Sequence, residues 1–269
     1  MMTHQSISAA ADLLWNAWQR EDLLDAIPAE ICPATRAEGY AIQQRLESRS
    51  PSPRFGWKIA ATSKAGQAHI NVDGPLAGRL LRERVIPDGG RVPFGRNHMR
   101  VAEAEFAFRF GVDVPPRDTP YSTADILDAV RTLHPAIEIP DSRYTDFTIV
   151  GAAQLIADNA CAHYFVLGPE ADTNWRAIDL AAHHAVGSIR RVDGRWLDRQ
   201  GIGANVLGDP RDALAWLVNE LSALGITIGA GEVVTTGTCL VPLPIEGGDL
   251  VEADFGVLGR VRAQIEYAM

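Results

Sequence analysis

Apolar residues recur at helical spacing twice near the N-terminus. Over Ile7 to Arg20, the positions Ala10, Leu13, Leu14, Ala17 and Trp18 repeat every three or four residues, which places them on one face of a helix. A second helix is predicted over Thr35 to Ser48, with Ala37, Tyr40, Ala41 and Leu46 as its stripe. Ser50-Pro51-Ser52-Pro53 ends it, because a proline ring disfavours helix at the residue before it. From Phe55 onward short apolar runs alternate with glycine and proline, as in Ile86-Pro87-Asp88-Gly89-Gly90 and Val114-Pro115-Pro116, the pattern of strands and turns. Two further helices are expected inside this region. Ser122 to Leu133 starts at a serine cap with Asp125 three residues on and stops before Pro135. Asp209 to Leu224 has an aspartate cap, Pro210 in its first turn, a Leu214, Leu217, Leu221, Leu224 stripe and Gly225 as its stop. The tail from Val233 to Ile265 returns to strand texture. These elements predict an α+β chain, with a helical N-terminal part over 1–54 and a β-rich core over 55–269, the two forming one structural unit.

Composition narrows the class. A chain of 269 residues with 46% hydrophobic and 22% charged residues is ordinary globular material, which excludes a disordered or fibrous protein. The net charge of -9 argues against a nucleic-acid or anionic-membrane surface, both of which need a basic patch. Cys32, Cys161 and Cys239 lie far apart with no Cys-x-x-Cys spacing, so neither a disulfide framework nor a zinc site is expected. The first nineteen residues carry no basic stretch, and no apolar run approaches a membrane span, so a cytoplasmic protein is expected.

The segment Arg100 to Phe110 carries the first chemical signal. Read as a strand, it puts Ala102, Ala104, Phe106, Phe108 and Phe110 on one face and Glu103, Glu105, Ala107 and Arg109 on the other. Two carboxylates then point the same way and repel, unless the face is simply solvated with Arg109 as a partial counterion. A third carboxylate, Glu138, sits between Ile137 and Ile139 in a short apolar run, where a charge needs a partner. A hard divalent cation held by Glu103, Glu105 and Glu138 answers both problems, and Mg²⁺ or Mn²⁺ prefers such oxygen ligands. The plainer alternative is a salt bridge from Glu138 to Arg143 or Arg109. Lys58 lies in another apolar run, Gly56 to Ser63, as a carboxylate anchor or a proton donor, although lysines at strand ends often only snorkel. Gly201-Ile202-Gly203-Ala204-Asn205-Val206 begins like a dinucleotide loop but lacks the third glycine. No nucleophile elbow or phosphate loop is present.

These motifs together resemble the fumarylacetoacetate hydrolase superfamily, in its branch of 2-keto-4-pentenoate hydratases and 4-oxalocrotonate decarboxylases. The likeness runs from about Phe55 to near the C-terminus. It rests on Gly56 to Ser63, Val72 to Gly78, Ala102 to Phe108, Ala136 to Arg143, Ala157 to Gly168, Gly203 to Pro210 and Gly231 to Gly259. It implies a rolled, mixed β core with a smaller helical N-terminal part, assembled as a homo-oligomer and acting on a small 2-oxo or 2-hydroxy acid. It assigns the metal, Mg²⁺ or Mn²⁺, to Glu103, Glu105 and Glu138, and the active-site lysine to Lys58. Asp73 and Thr238 are implied as further catalytic positions, and Leu76, Ser142 and Asn159 as substrate neighbours. Hydratases tend to carry an acid where this chain has Leu76, which is more like the decarboxylases, while the Thr238 hydroxyl suits a water. The expected reaction is hydration of a 2-hydroxy-2,4-dienoate to a 4-hydroxy-2-oxo acid. Decarboxylation of a 4-oxalocrotonate-type acid, C–C hydrolysis of an acylpyruvate and simple binding of an oxo acid are the alternatives.

Overall fold

The computed structural model describes residues 2–267. Helix α1, His4–Arg20, is capped by the Thr3 hydroxyl and ends on Glu21 in a left-handed conformation. Helix α2, Arg36–Glu47, is capped in the same way by Thr35. Strand β1, Arg54–Ala60, leads into the short helix α3, Lys64–His69, and then β2, Leu76–Leu81. After β3, Val85–Pro87, and β4, Arg91–Val92, comes the long strand β5, Val101–Phe110.

Helix α4 covers only Thr123–Ala129, and Val130–Ile139 is strand β6. The capping box at Ser122 and Asp125 is present, but the expected continuation to Leu133 is not. β6 is buried along nearly its whole length, and its first apolar residues, Val130 and Leu133, keep the three-residue spacing of a helix, so the pattern alone does not mark where helix gives way to strand. The remaining elements are α5, Ala152–Ala157; β7, Tyr164–Leu167; β8, His184–Arg190; β9, Trp196–Ile202; α6, Pro210–Ala223; β10, Val233–Thr238; β11, Leu243–Pro244; β12, Leu250–Asp254; and β13, Arg260–Ile265. α6 matches its expected span and caps.

Two curled mixed sheets form the core. The larger has the order β2-β1-β10-β5-β6-β7-β3, with β11 added to β5, and the smaller runs β4-β13-β12-β8-β9. β1 pairs in parallel with β10, although 175 residues separate Lys58 from Val233, whereas β5 and β6 form an antiparallel pair. One face of β5 enters the main core: Ala102, Ala104, Phe106, Phe108 and Phe110 are all buried there with residues of α6 and the smaller sheet. The N-terminal helices build a separate apolar cluster in which Ala10, Leu14, Ile42 and Leu46 pack with Tyr144 and Ala157. Trp18 of α1 lies under the Arg143 guanidinium at 4.6 Å and donates its indole N–H to His163 Nδ1 at 2.8 Å. Among the described residues no helix is long and apolar enough to cross a membrane.

Candidate metal centre

The other face of β5 carries Glu103 and Glu105, and the strand registers bring their partners to the same side. Glu103 stands opposite Glu138 on β6, and Glu105 stands opposite Ala136. On the far side, Lys58 of β1 is level with Thr235 of β10 and with Gly78 of β2, and Thr235 is level with Ala107 of β5. Directly paired residues share a sheet face, so Lys58 lies on the face of Ala107 and Glu105, in the row next to that of Glu105. Beyond Glu105 the face turns apolar, where Ala107 and Ala136 join Phe55, Leu80, Phe165 and Val233.

Glu103, Glu105 and Glu138 each offer an oxygen within 4.8 Å of the others. Glu105 and Glu138 are 0% exposed. Lys58 Nζ sits 3.1 Å from Glu138 Oε1 and donates to the Ala160 carbonyl at 3.0 Å. The partner of Glu138 is therefore Lys58, not Arg143 or Arg109. Arg143 is bound to Asp158, and Arg109 donates to the Gly231 carbonyl.

The charges do not balance. Burial raises the Glu103 carboxyl to about 7, with the Glu138 charge adding to the effect and Lys58 opposing it. Burial, reinforced by Glu138 and Glu103, pushes Glu105 well above the ordinary carboxylate value, and burial also raises Glu138 against the pull of Lys58. Burial works against the Lys58 charge too, but the carboxylates of Glu138, Glu103 and Glu105 outweigh it and hold the ammonium above its usual value. Among the described residues, Glu105 Oε1 and Glu138 Oε2 are buried without a hydrogen-bond partner, and Glu138 Oε1 has only the Lys58 ammonium beside it. Orphaned carboxylate oxygens converging within one cation's reach fit a hard divalent metal, which supplies the missing counter-charge.

Glu105 is held from behind by residues that the sequence did not single out. The Thr235 hydroxyl donates to Glu105 Oε2, and the Gly237 amide donates to the same oxygen at 3.0 Å. Three steps on β10, Thr235 to Thr238, face two on β5, Ala107 to Glu105, so β10 bulges by one residue. Gly237 occupies the bulge at φ +89, and a Cβ there would come within 2.2 Å of the Thr62 hydroxyl. A glycine inside the run Val233 to Thr238 was the available signal for this bulge.

The other expected site residues take different places. Asp73 is 88% exposed on its side chain and pairs with Arg36 at 3.4 Å. Thr238 lies opposite Glu105, but its hydroxyl donates to the Leu240 carbonyl at 2.8 Å. Leu76 is buried at the start of β2, level with Ala60. Ser142 donates to Asp158 Oδ2 at 2.7 Å. Asn159 is committed at both ends, accepting from the Arg79 amide at 2.7 Å and donating to the Arg79 carbonyl at 2.9 Å. The structure brings together Glu103, Glu105, Glu138 and Lys58; the polar atoms of Asp73, Ser142 and Asn159 are engaged elsewhere.

The family model for the fumarylacetoacetate hydrolase C-terminal region matches residues 68–266. The chain is 31% identical to a 2-keto-4-pentenoate hydratase of Paraburkholderia xenovorans, over 98% of this chain and 97% of that protein. It is 34% identical to a 2-hydroxyhexa-2,4-dienoate hydratase of Comamonas testosteroni, over 76% of this chain and 75% of that one. Among solved structures, a 4-oxalocrotonate decarboxylase from Pseudomonas putida, complexed with magnesium and adipate, superposes with a TM-score of 0.87 at 26% identity, covering 98% of this chain and 99% of that one. The same decarboxylase has also been seen with calcium and acetate. A match across most of the chain, together with relatives aligned nearly end to end, decides the family: this chain belongs to the fumarylacetoacetate hydrolase family.

Proposed function

We propose that this protein hydrates a 2-hydroxy-2,4-dienoate to a 4-hydroxy-2-oxo acid, using a divalent ion, Mg²⁺ or Mn²⁺, held by Glu103, Glu105 and Glu138. The observation that carries the reading is the set of orphaned, converging carboxylate oxygens beside a buried lysine, in a chain whose full-length relatives bear hydratase names. When bound, the ion supplies Lewis acidity that stabilises negative charge on the C2 oxygen of such an acid.

The chain's own residues set the rest. Thr235 and the Gly237 amide fix the plane of the Glu105 carboxylate, so the ligand geometry does not depend on the ion alone. The carboxylates of Glu138, Glu103 and Glu105 favour the charged form of Lys58, which suits it to anchor a substrate carboxylate. Two of its three N–H directions are taken by Glu138 and Ala160, which leaves one for a ligand. Ala107 and Ala136, next to Glu105, belong to a buried apolar cluster, an environment better suited to a hydrocarbon chain than to water.

A second reading, decarboxylation of a vinylogous β-keto acid, is favoured by the apolar Leu76 and by the decarboxylase superposition. Incubation with Mg²⁺ and either 2-hydroxypenta-2,4-dienoate or 2-oxo-3-hexenedioate separates the two. Loss of dienol absorbance without CO₂ release is the expected outcome, and CO₂ release without hydration would establish the second reading.

A further inference from the structure

Three consecutive residues that carry a Cβ, Asn159, Ala160 and Cys161, have φ of 55, 50 and 60. A left-handed turn of this kind is disfavoured for L-residues and needs external support, asparagine tolerating it best. We propose that Asn159 is a positioning residue for Lys58, holding this turn so that the Ala160 carbonyl faces the ammonium. The proposal rests on the functional reading above only for its turnover readout.

The support comes from the sheet edge. β2 is the last strand of the larger sheet, so the outer backbone groups of Arg79 have no neighbouring strand. The Asn159 side chain fills that place as a peptide group would, accepting from the Arg79 amide and donating to its carbonyl. The residue before the turn is locked as well: Asp158 accepts from Ser142, from the Arg143 amide and from the Arg143 guanidinium. Between turn and lysine lies Gly78. A Cβ there would approach the Asn159 carbonyl oxygen to 2.4 Å and Lys58 Cδ to 3.0 Å. The lysine stem and the turn thus rest on the same bare backbone, and the Ala160 carbonyl meets Lys58 Nζ at 3.0 Å, opposite Glu138. Among the described residues, the Asn159 side chain hydrogen-bonds to Arg79 and not to the lysine or the glutamates, and it acts through the carbonyl next to it.

The conformational requirement separates this role from direct substrate contact. Glycine enters the left-handed region freely and alanine does not, whereas both lack the amide. Asn159→Gly, Asn159→Ala and, pressing on the turn from the other side, Gly78→Ala are compared with the native full-length chain in the presence of Mg²⁺. Acylation of Lys58 by acetic anhydride, read by mass spectrometry, needs no turnover, because an amine held at the Ala160 carbonyl and sheltered from solvent reacts slowly. The expected order of reactivity is native, then N159G, then N159A, with G78A also above native and Mg²⁺ affinity nearly unchanged. With a dienoate substrate, kcat falls about tenfold or more in N159A and recovers in part in N159G. Equal Lys58 labelling in native and N159A, or equal kcat loss in N159A and N159G, overturns the proposal. Absence of turnover in the native chain would count against the hydratase reading while the labelling order still decides this one.

Discussion

Glu103 and Glu138 stand directly opposite each other on adjacent antiparallel strands, two carboxylates where a sheet ordinarily avoids placing like charges. Without a cation this pair opposes the fold. Glu103→Gln is therefore expected to stabilise the metal-free chain by roughly 0.2–1 kcal/mol while abolishing the stabilisation by Mg²⁺. Thermal unfolding with and without chelator checks it. A mutant less stable than the native protein in chelator would mean that the repulsion is relieved in some other way.

Lys58 is the counterpart of that conflict. Lys58→Met leaves the buried Glu138 carboxylate with neither its ion-pair partner nor a replacement. Breaking a buried pair in this way costs about 3–5 kcal/mol, and the loss should be smaller when Mg²⁺ is present. Turnover should fall by about two orders of magnitude or more, whereas isothermal titration should still detect metal binding. Undiminished kcat would remove Lys58 from the mechanism.

Thr235 tests the ligand orientation separately from the ligands. Thr235→Val preserves shape but removes the hydroxyl donor to Glu105 Oε2, leaving the Gly237 amide alone. Losing a partner behind a metal ligand typically weakens metal affinity about 10–100-fold. Titration calorimetry with Mg²⁺ reads the change, and Thr235→Ser, which restores a hydroxyl, should recover most of it.

His163 makes stability fall on acidification. Burial, with Arg84 and Arg143 nearby, holds its pKa well below the ordinary 6.5, and its Nδ1 is already an acceptor for the Trp18 indole. The unfolded chain takes up a proton as pH drops below 6.5 while the folded chain does not, so this residue's contribution is intact above 6.5 and is lost below it. The slope reaches about 1.4 kcal/mol per pH unit for one such group. Urea unfolding at pH 7.5, 6.0 and 5.0 should show His163→Gln losing less stability than the native chain across that range; parallel curves would contradict it.

How much was legible in advance depended on the range of the interaction. The alternation of β5 exposed its two faces and the conflict between Glu103 and Glu105, because period two is a local property of the chain. Helix ends announced by Thr35, Ser122 and Asp209 were equally local. The partner of Glu138 was not. The arginines at 109 and 143 were nearer in sequence, but the parallel pairing of β1 with β10 carries Lys58 across the sheet, and no residue-level pattern encodes that register. Ser142 and Asn159 carry side chains of the right type to bind a substrate, and only the structure shows their hydrogen bonds committed to Asp158 and Arg79. The resemblance placed those residues beside the centre without distinguishing contact from support.

β1 lies inside the larger sheet, between β2 and β10. The region matched by the family model begins at residue 68, after β1 has ended. A fragment cut at that point would lose an interior strand, the ladders on both its sides, and Lys58 with it. It would also expose two raw edges to any chain able to pair with them. The smallest piece of this protein able to close the sheet around its carboxylates must therefore start upstream of Arg54. In this chain, the segment matched by the family model is shorter than the closed sheet that brings Lys58 to the glutamates.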